Sequence, residues 1–204
     1  MIWNALFGVR DEAQKNATAA LSASLSRDAQ YGPAIALAIL SETAQANKIA
    51  ADLEKRYPED TTVQFSYLPT IRALTALADG NAAKALEMTE AARPYDFAVP
   101  ATAYFFGPGF GGLYPVYVRG LAFAKLGRHA EAAAEFQKIL DHPGLMLNDP
   151  VGPMARLQLA RALAASGDHA KSAATYKDLL AIWKDADPDL PVVQQANSES
   201  AKFQ

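Results

Sequence analysis

GLAFAKLGRHAEAAAEF at residues 120–136 and ARALAASGDHAKSAATY at residues 160–176 set down the same order of side-chain sizes forty residues apart. Gly120, Phe123, Gly127, Ala132 and Phe136 of the first copy correspond to Ala160, Leu163, Gly167, Ser172 and Tyr176 of the second. Small and apolar residues lead to a turn glycine, and small and aromatic residues follow it. That order describes two packed helices whose closest approach admits only Gly, Ala or Ser, and its recurrence marks a repeated helical hairpin.

The same marks recur upstream. Gly80 takes the turn position, with Ala73 and Ala76 before it, Ala85, Thr89 and Ala92 after it, and Arg93-Pro94 as a stop. In a weaker copy Ala34 and Leu37 precede Ser41, and Ala46, Ala50 and Leu53 follow, with Pro58 ending the unit because proline cannot continue a helix. Turns at 41, 80, 127 and 167 are spaced 39, 47 and 40 residues apart. Each spacing exceeds the roughly 34 residues of a tetratricopeptide unit. The surplus falls in loop-like text at 60–62, 100–112 and 143–153.

The ends carry fragments of the same unit. Residues 11–25 read as a second helix, with Ala13, Ala17 and Ala20 at small positions and Gly8 at the turn, which leaves only residues 1–7 for a first helix. A start on Ile2, Trp3, Leu6 and Phe7, without a polar cap, is the pattern expected of a piece taken from a longer chain. At the other end Asp187-Pro188-Asp189 breaks the last repeat, and Pro191 suits a first helical turn. Val192, Val193 and Ala196 are placed to lie against the preceding hairpin, while Gln194, Gln195, Asn197, Glu199 and Lys202 form a polar outer face.

The expected fold is therefore all-α: a right-handed helical-hairpin, tetratricopeptide-like solenoid of about four repeats plus a half-repeat and a C-terminal capping helix. One array spans 1–204, with a half-repeat at 1–30, hairpins at 31–58, 61–94, 113–143 and 153–187, a capping helix at 191–204, and an aromatic, glycine-rich insert at 95–112. Composition agrees. Half the residues are hydrophobic, and 19 basic and 22 acidic residues are scattered singly to a net charge of −3, so no polybasic face offers itself to nucleic acid or an anionic membrane. No apolar run reaches transmembrane length, and the absence of cysteine excludes disulfide and thiol chemistry while leaving the compartment open.

Residues 113–203, with "LYPVYVRGLAFAKLGRHAEAAAEFQKILDHPGLMLNDP" and "ARLQLARALAASGDHAKSAATYKDLLAIWKDADPDLP", resemble the C-terminal tetratricopeptide region of acidobacterial eukaryotic-like serine/threonine protein kinases and related winged-helix regulators. A weaker likeness covers 31–94, including "YLPTIRALTALADGNAAKALE". The resemblance implies a sensory or scaffolding segment of a larger bacterial protein, on either side of the membrane, with the kinase or DNA-binding domain expected upstream of Met1. Arg156 stands where the last repeat would begin with a bulky aromatic, which shifts only repeat boundaries.

Several chemical motifs fail on context. Gly107-Pro108-Gly109-Phe110-Gly111-Gly112 satisfies G-x-G-x-x-G, with Glu131 downstream, but no strand leads into it and Glu131 belongs to a second helix. Neither H-R-D nor D-F-G follows. Asp185, Asp187 and Asp189 alternate like a calcium loop, yet Leu190 stands where glycine is required and Ala196 where the bidentate glutamate belongs. His129 and His169 repeat at equivalent helix starts, about 10 Å apart by helix packing, and read as exposed residues. The sequence thus predicts no catalytic residues, no cofactor and no metal.

The functional expectation is a non-catalytic module that binds a protein or peptide through its concave face, with self-association as a second way of covering that face. Tyr31, Tyr67, Tyr114 and Tyr117 fall near the starts of first helices, which line that side. Ile35, Thr70, Leu74, Leu121, Lys125, Leu157 and Arg161 complete the projected groove. The terminal-carboxylate clamp of chaperone-type arrays is not reproduced, because Tyr117, Leu121 and Lys125 leave one charge of three. The alternative is a small-ligand receptor using the 100–115 insert, with Tyr104, Phe105, Phe106 and Phe110 as contacts.

Overall fold

The computed structural model describes residues 1–98, 113–146 and 148–203, and these are all-helical, with no strand among them. In chain order the α-helices are α1 (Ile2–Phe7), α2 (Arg10–Ala23), α3 (Arg27–Ile39), α4 (Thr43–Arg56), α5 (Leu68–Ala78) and α6 (Ala82–Glu90). After the undescribed stretch come α7 (Leu113–Lys125), α8 (His129–Leu140), α9 (Pro143–Met146), α10 (Val151–Ala165), α11 (His169–Ile182) and α12 (Pro191–Ser200).

Five turns share one backbone solution. Gly8, Gly80, Gly127 and Gly167 adopt φ of 85°, 80°, 72° and 87°, and Ser41 adopts 66°. The amide after each turn residue reaches back to the carbonyl five positions earlier, as in Arg128 N–H to Phe123 O at 2.9 Å and Asp168 N–H to Leu163 O at 2.9 Å. This closes the orphan carbonyls of the preceding helix in a Schellman arrangement, which requires a left-handed residue and so favours glycine. At two of the five turns the next helix begins on a side-chain cap: Asn81 accepts from Lys84 N–H at 3.0 Å and Asp168 from Lys171 N–H at 3.2 Å.

Small residues sit at the crossing points. Gly120 of α7 lies under the ring of Phe136 from α8, so near that a Cβ there would stand 2.6 Å from Cε1. One unit later, buried Ser172 donates to the Ala160 carbonyl across the same crossing at 2.9 Å. Ala34, Ala46, Ala73, Ala85 and Ala132 are fully buried at the corresponding places. Ahead of α5 the backbone widens into a π-turn at Val63–Tyr67. Pro69 lacks an N–H and crowds the carbonyl of a regular preceding turn, and an inserted residue relieves both.

α1, α3, α5, α7 and α10 contact one another in sequence, and α2, α4, α6 and α8 each wedge between their own partner and the next member of that row. α11 packs on α10 and is followed by α12. The two ends of this row meet, because α1 also contacts α12. Phe7 sets its ring edge-on to Trp183 with centroids 6.1 Å apart, and Gly8 abuts Pro191. The apolar core runs through the whole row and includes Val192, Val193 and Ala196 of α12.

Candidate functional site

The contact between α1 and α12 turns the inner face of the row into a cavity of about 690 Å3. Its walls come from α1 (Leu6, Phe7), α3 (Ala38, Ile39), α5 (Leu74, Leu77), α7 (Tyr117, Leu121, Lys125), α10 (Met154, Gln158, Arg161) and α12 (Val192, Gln195). His129, at the start of α8, joins the rim. The volume falls in the range of ligand-binding cavities, and the wall is mostly apolar with a few polar groups converging on it.

Those polar groups are held in defined states. Tyr117 is buried, and burial pushes its phenol up to about 12 against a hydrogen bond with Gln158 and the charge of Arg161, so the hydroxyl is a neutral donor at physiological pH. Arg161 grips Glu199 with two hydrogen bonds, from Nε and from Nη2, both 2.8 Å, and also reaches Gln195 Oε1 at 3.3 Å. Burial works against the guanidinium charge, but the Glu199 carboxylate outweighs it and raises Arg161 above its ordinary value. Tyr176 donates to the same carboxylate at 2.8 Å. Although burial opposes ionisation of Glu199, the bonds from Arg161 and Tyr176 hold its pKa below the usual value. Glu199 therefore faces α10 and α11 rather than joining the polar outer face read from the sequence, on which Gln194, Gln195, Asn197 and Lys202 are exposed.

Of the residues projected onto a concave groove, Leu74, Tyr117, Leu121, Lys125 and Arg161 line this one cavity. Tyr31, Ile35, Tyr67, Thr70, Tyr114 and Leu157 are buried between helices and do not line it. The tyrosines instead join neighbouring helices. Tyr31 and Tyr67 stack with centroids 3.6 Å apart and planes 8° from parallel. Tyr67 donates to Asp28 at 2.6 Å and Tyr114 to Asp149 at 2.8 Å. Burial raises all three phenols well above their ordinary value, and it raises Asp149 too, against hydrogen bonds from the Val151 amide and Tyr114. Tyr104, Phe105, Phe106, Phe110 and the glycine run at 107–112 lie outside the described residues.

A second polar centre was not singled out in the sequence. Arg119, fully buried on α7, donates from Nη2 to Asp96 at 2.6 Å and to Glu135 of α8 at 2.8 Å. Lys138 reaches Asp96 at 3.1 Å, and Arg93 approaches Glu135 at 3.5 Å. Nε and Nη1 of Arg119 have no hydrogen-bond partner among the described residues. The available signal was one arginine amid the apolar run LYPVYVRGLAF, since a charge on a buried helix face requires a carboxylate nearby. This cluster ties α7, α8 and the 3-10 turn Arg93–Tyr95 together, and it opens onto no described cavity.

Among the described residues no group of three or more His, Asp or Glu is placed to hold a metal, and no helix is long and apolar enough to cross a membrane. The chain matches no protein-family model, no curated protein and no solved structure.

Proposed function

We propose that the chain is a non-catalytic binding module, built as a right-handed tetratricopeptide-like array, that takes a peptide segment into the cavity between α1, α5, α7, α10 and α12. The observation that carries this reading is that successive first helices of the hairpins contribute to a single mostly apolar cavity, the surface on which repeat arrays receive extended ligands. Its polar groups suit a peptide. Gln158, Gln195 and the Tyr117 hydroxyl supply both donors and acceptors, which main-chain amides satisfy and a hydrocarbon chain leaves unpaired. The ionisable residues of the wall are Lys125, His129, Arg161 and Tyr117, and Arg161 is already engaged by Glu199, which fits binding better than acid–base or nucleophilic chemistry. By its resemblance, the module serves as the sensory or scaffolding part of a bacterial serine/threonine kinase or transcription regulator.

The test is selection of a displayed library of random peptides on the purified chain, with Leu121→Trp as counter-selection. Leu121 is half-buried on the cavity wall, so an indole there fills the cavity with little disturbance of the core. Peptides enriched on the wild type and lost on Leu121→Trp support the reading. Enrichment that ignores the substitution places binding elsewhere and defeats it.

A further inference from the structure

The cavity has a sign. The chain carries more acidic than basic residues, 22 against 19, yet the cavity wall contains Lys125, His129 and Arg161 and neither Asp nor Glu. The nine arginines are all taken up in ion pairs, including Arg161 with Glu199. Lys125 differs. It has no carboxylate within ion-pair distance among the described residues, although it stands at the last turn of α7 beside Leu121 and Ala124, on the wall of an apolar cavity. An ammonium beside low-dielectric surface attracts an incoming carboxylate more strongly than one on open surface, and Asp79, which borders an adjoining depression together with Lys125, forms no ion pair with it.

Resting on the peptide-binding reading above, we infer that the cavity selects acidic peptides: an apolar segment seated between α5, α7 and α10, carrying a carboxylate that pairs with Lys125. Leu121 and Tyr117 lie one and two turns before Lys125 on the same helix, so a ligand packed on them presents its neighbouring side chain to the ammonium. Arg161 contributes little further net charge, because Glu199 compensates it. His129 adds a ring nitrogen at the same rim.

The library selection also tests this, read out as the balance of Asp and Glu against Lys and Arg in the enriched peptides. Acidic enrichment on the wild type is expected, with a shift towards basic peptides on Lys125→Glu. A fluorescein-labelled enriched peptide should lose about tenfold in affinity when its acidic residue becomes the amide, and should bind more weakly as salt rises. Lys125→Gln should abolish the difference between acid and amide forms. Lys125 is exposed, so unchanged thermal melting of both variants is the control for folding. Neutral or basic enrichment, or acidic preference that survives Lys125→Glu, overturns the charge inference while peptide binding itself stands. No enrichment over the Leu121→Trp counter-selection overturns peptide binding. Dodecanoate bound by the wild type and excluded by Leu121→Trp, with no peptide enriched, assigns the cavity to a lipid anion and overturns both.

Discussion

Gly120 and Phe136 are in closest possible contact: a methyl group on residue 120 would sit 2.6 Å from Cε1 and 2.8 Å from Cζ of the buried ring. Phe136 is fully enclosed and also packs against Tyr117, ring centroids 5.8 Å apart, so its ring has no free direction in which to move. Gly120→Ala is therefore expected to destabilise the chain by about 1–3 kcal/mol despite the better helix propensity of alanine. Gly144→Ala, with no heavy atom within 4 Å of the new methyl, is the matched control. Thermal melting of the pair decides it, and equal midpoints would contradict the tight crossing.

The buried cluster around Arg119 supplies the second prediction. Glu135→Ala removes one carboxylate from a guanidinium that has no access to water and leaves Asp96 as its main partner. Breaking a buried pair in this way costs about 3–5 kcal/mol. Replacing the charge altogether with Arg119→Met, together with Asp96→Asn and Glu135→Gln, should cost far less than the sum of the single changes. Urea denaturation of the single and triple variants measures the difference.

The turns and crossings were legible because each depends on one residue type. A left-handed turn favours glycine, with Ser41 the one exception among these turns, and a tight crossing needs a missing or minimal side chain, so residues 127, 167, 120 and 132 declare their places in the string. The inner face was legible only in part. First helices such as α5 and α7 are apolar on nearly all sides, and periodicity cannot separate the side facing a second helix from the side facing the cavity. Tyr117 and Leu121 thus line the cavity, whereas Tyr31, Tyr67 and Tyr114 occupy the joints between helices. The run around Arg119 marks a buried charge but not its partners Asp96 and Glu135, and the meeting of α1 with α12 joins distant segments, for which local pattern carries no mark.

The attachment of α12 should depend on pH through Glu199. Its folded pKa is depressed, so the stabilisation is present above the unfolded carboxylate pKa and is lost as pH falls through the folded value. Acidification from neutrality should loosen α12 before the rest of the row, seen as earlier exchange of amides at 192–200. Arg161→Gln should weaken this dependence, since it leaves only the Tyr176 bond and the Lys202 charge to hold the Glu199 pKa down. Asp149 works in the opposite sense, since its raised folded pKa makes protonation favour the folded state at the α7–α10 joint, so the two helices should respond differently to the same change.

Closure of the row is the last testable relationship. Gly8 combines a φ of 85° with a position at which a Cβ would lie 3.0 Å from Cβ of Pro191, so alanine there is strained by its backbone and presses α1 away from α12. Phe7 follows Gly8 in this displacement, and its edge contact with Trp183 should weaken. Trp3 and Trp183 are the chain's two tryptophans, and both lie within one aromatic ring contact of Phe7. Gly8→Ala should therefore alter the tryptophan emission and quicken its quenching by acrylamide, while the melting of the α7–α8 crossing is largely kept. Because Leu6, Phe7, Pro191 and Val192 form one side of the cavity, the same substitution should speed both entry and release of a bound peptide. Emission and quenching identical to the wild type would mean that α1 and α12 do not hold the row closed in solution.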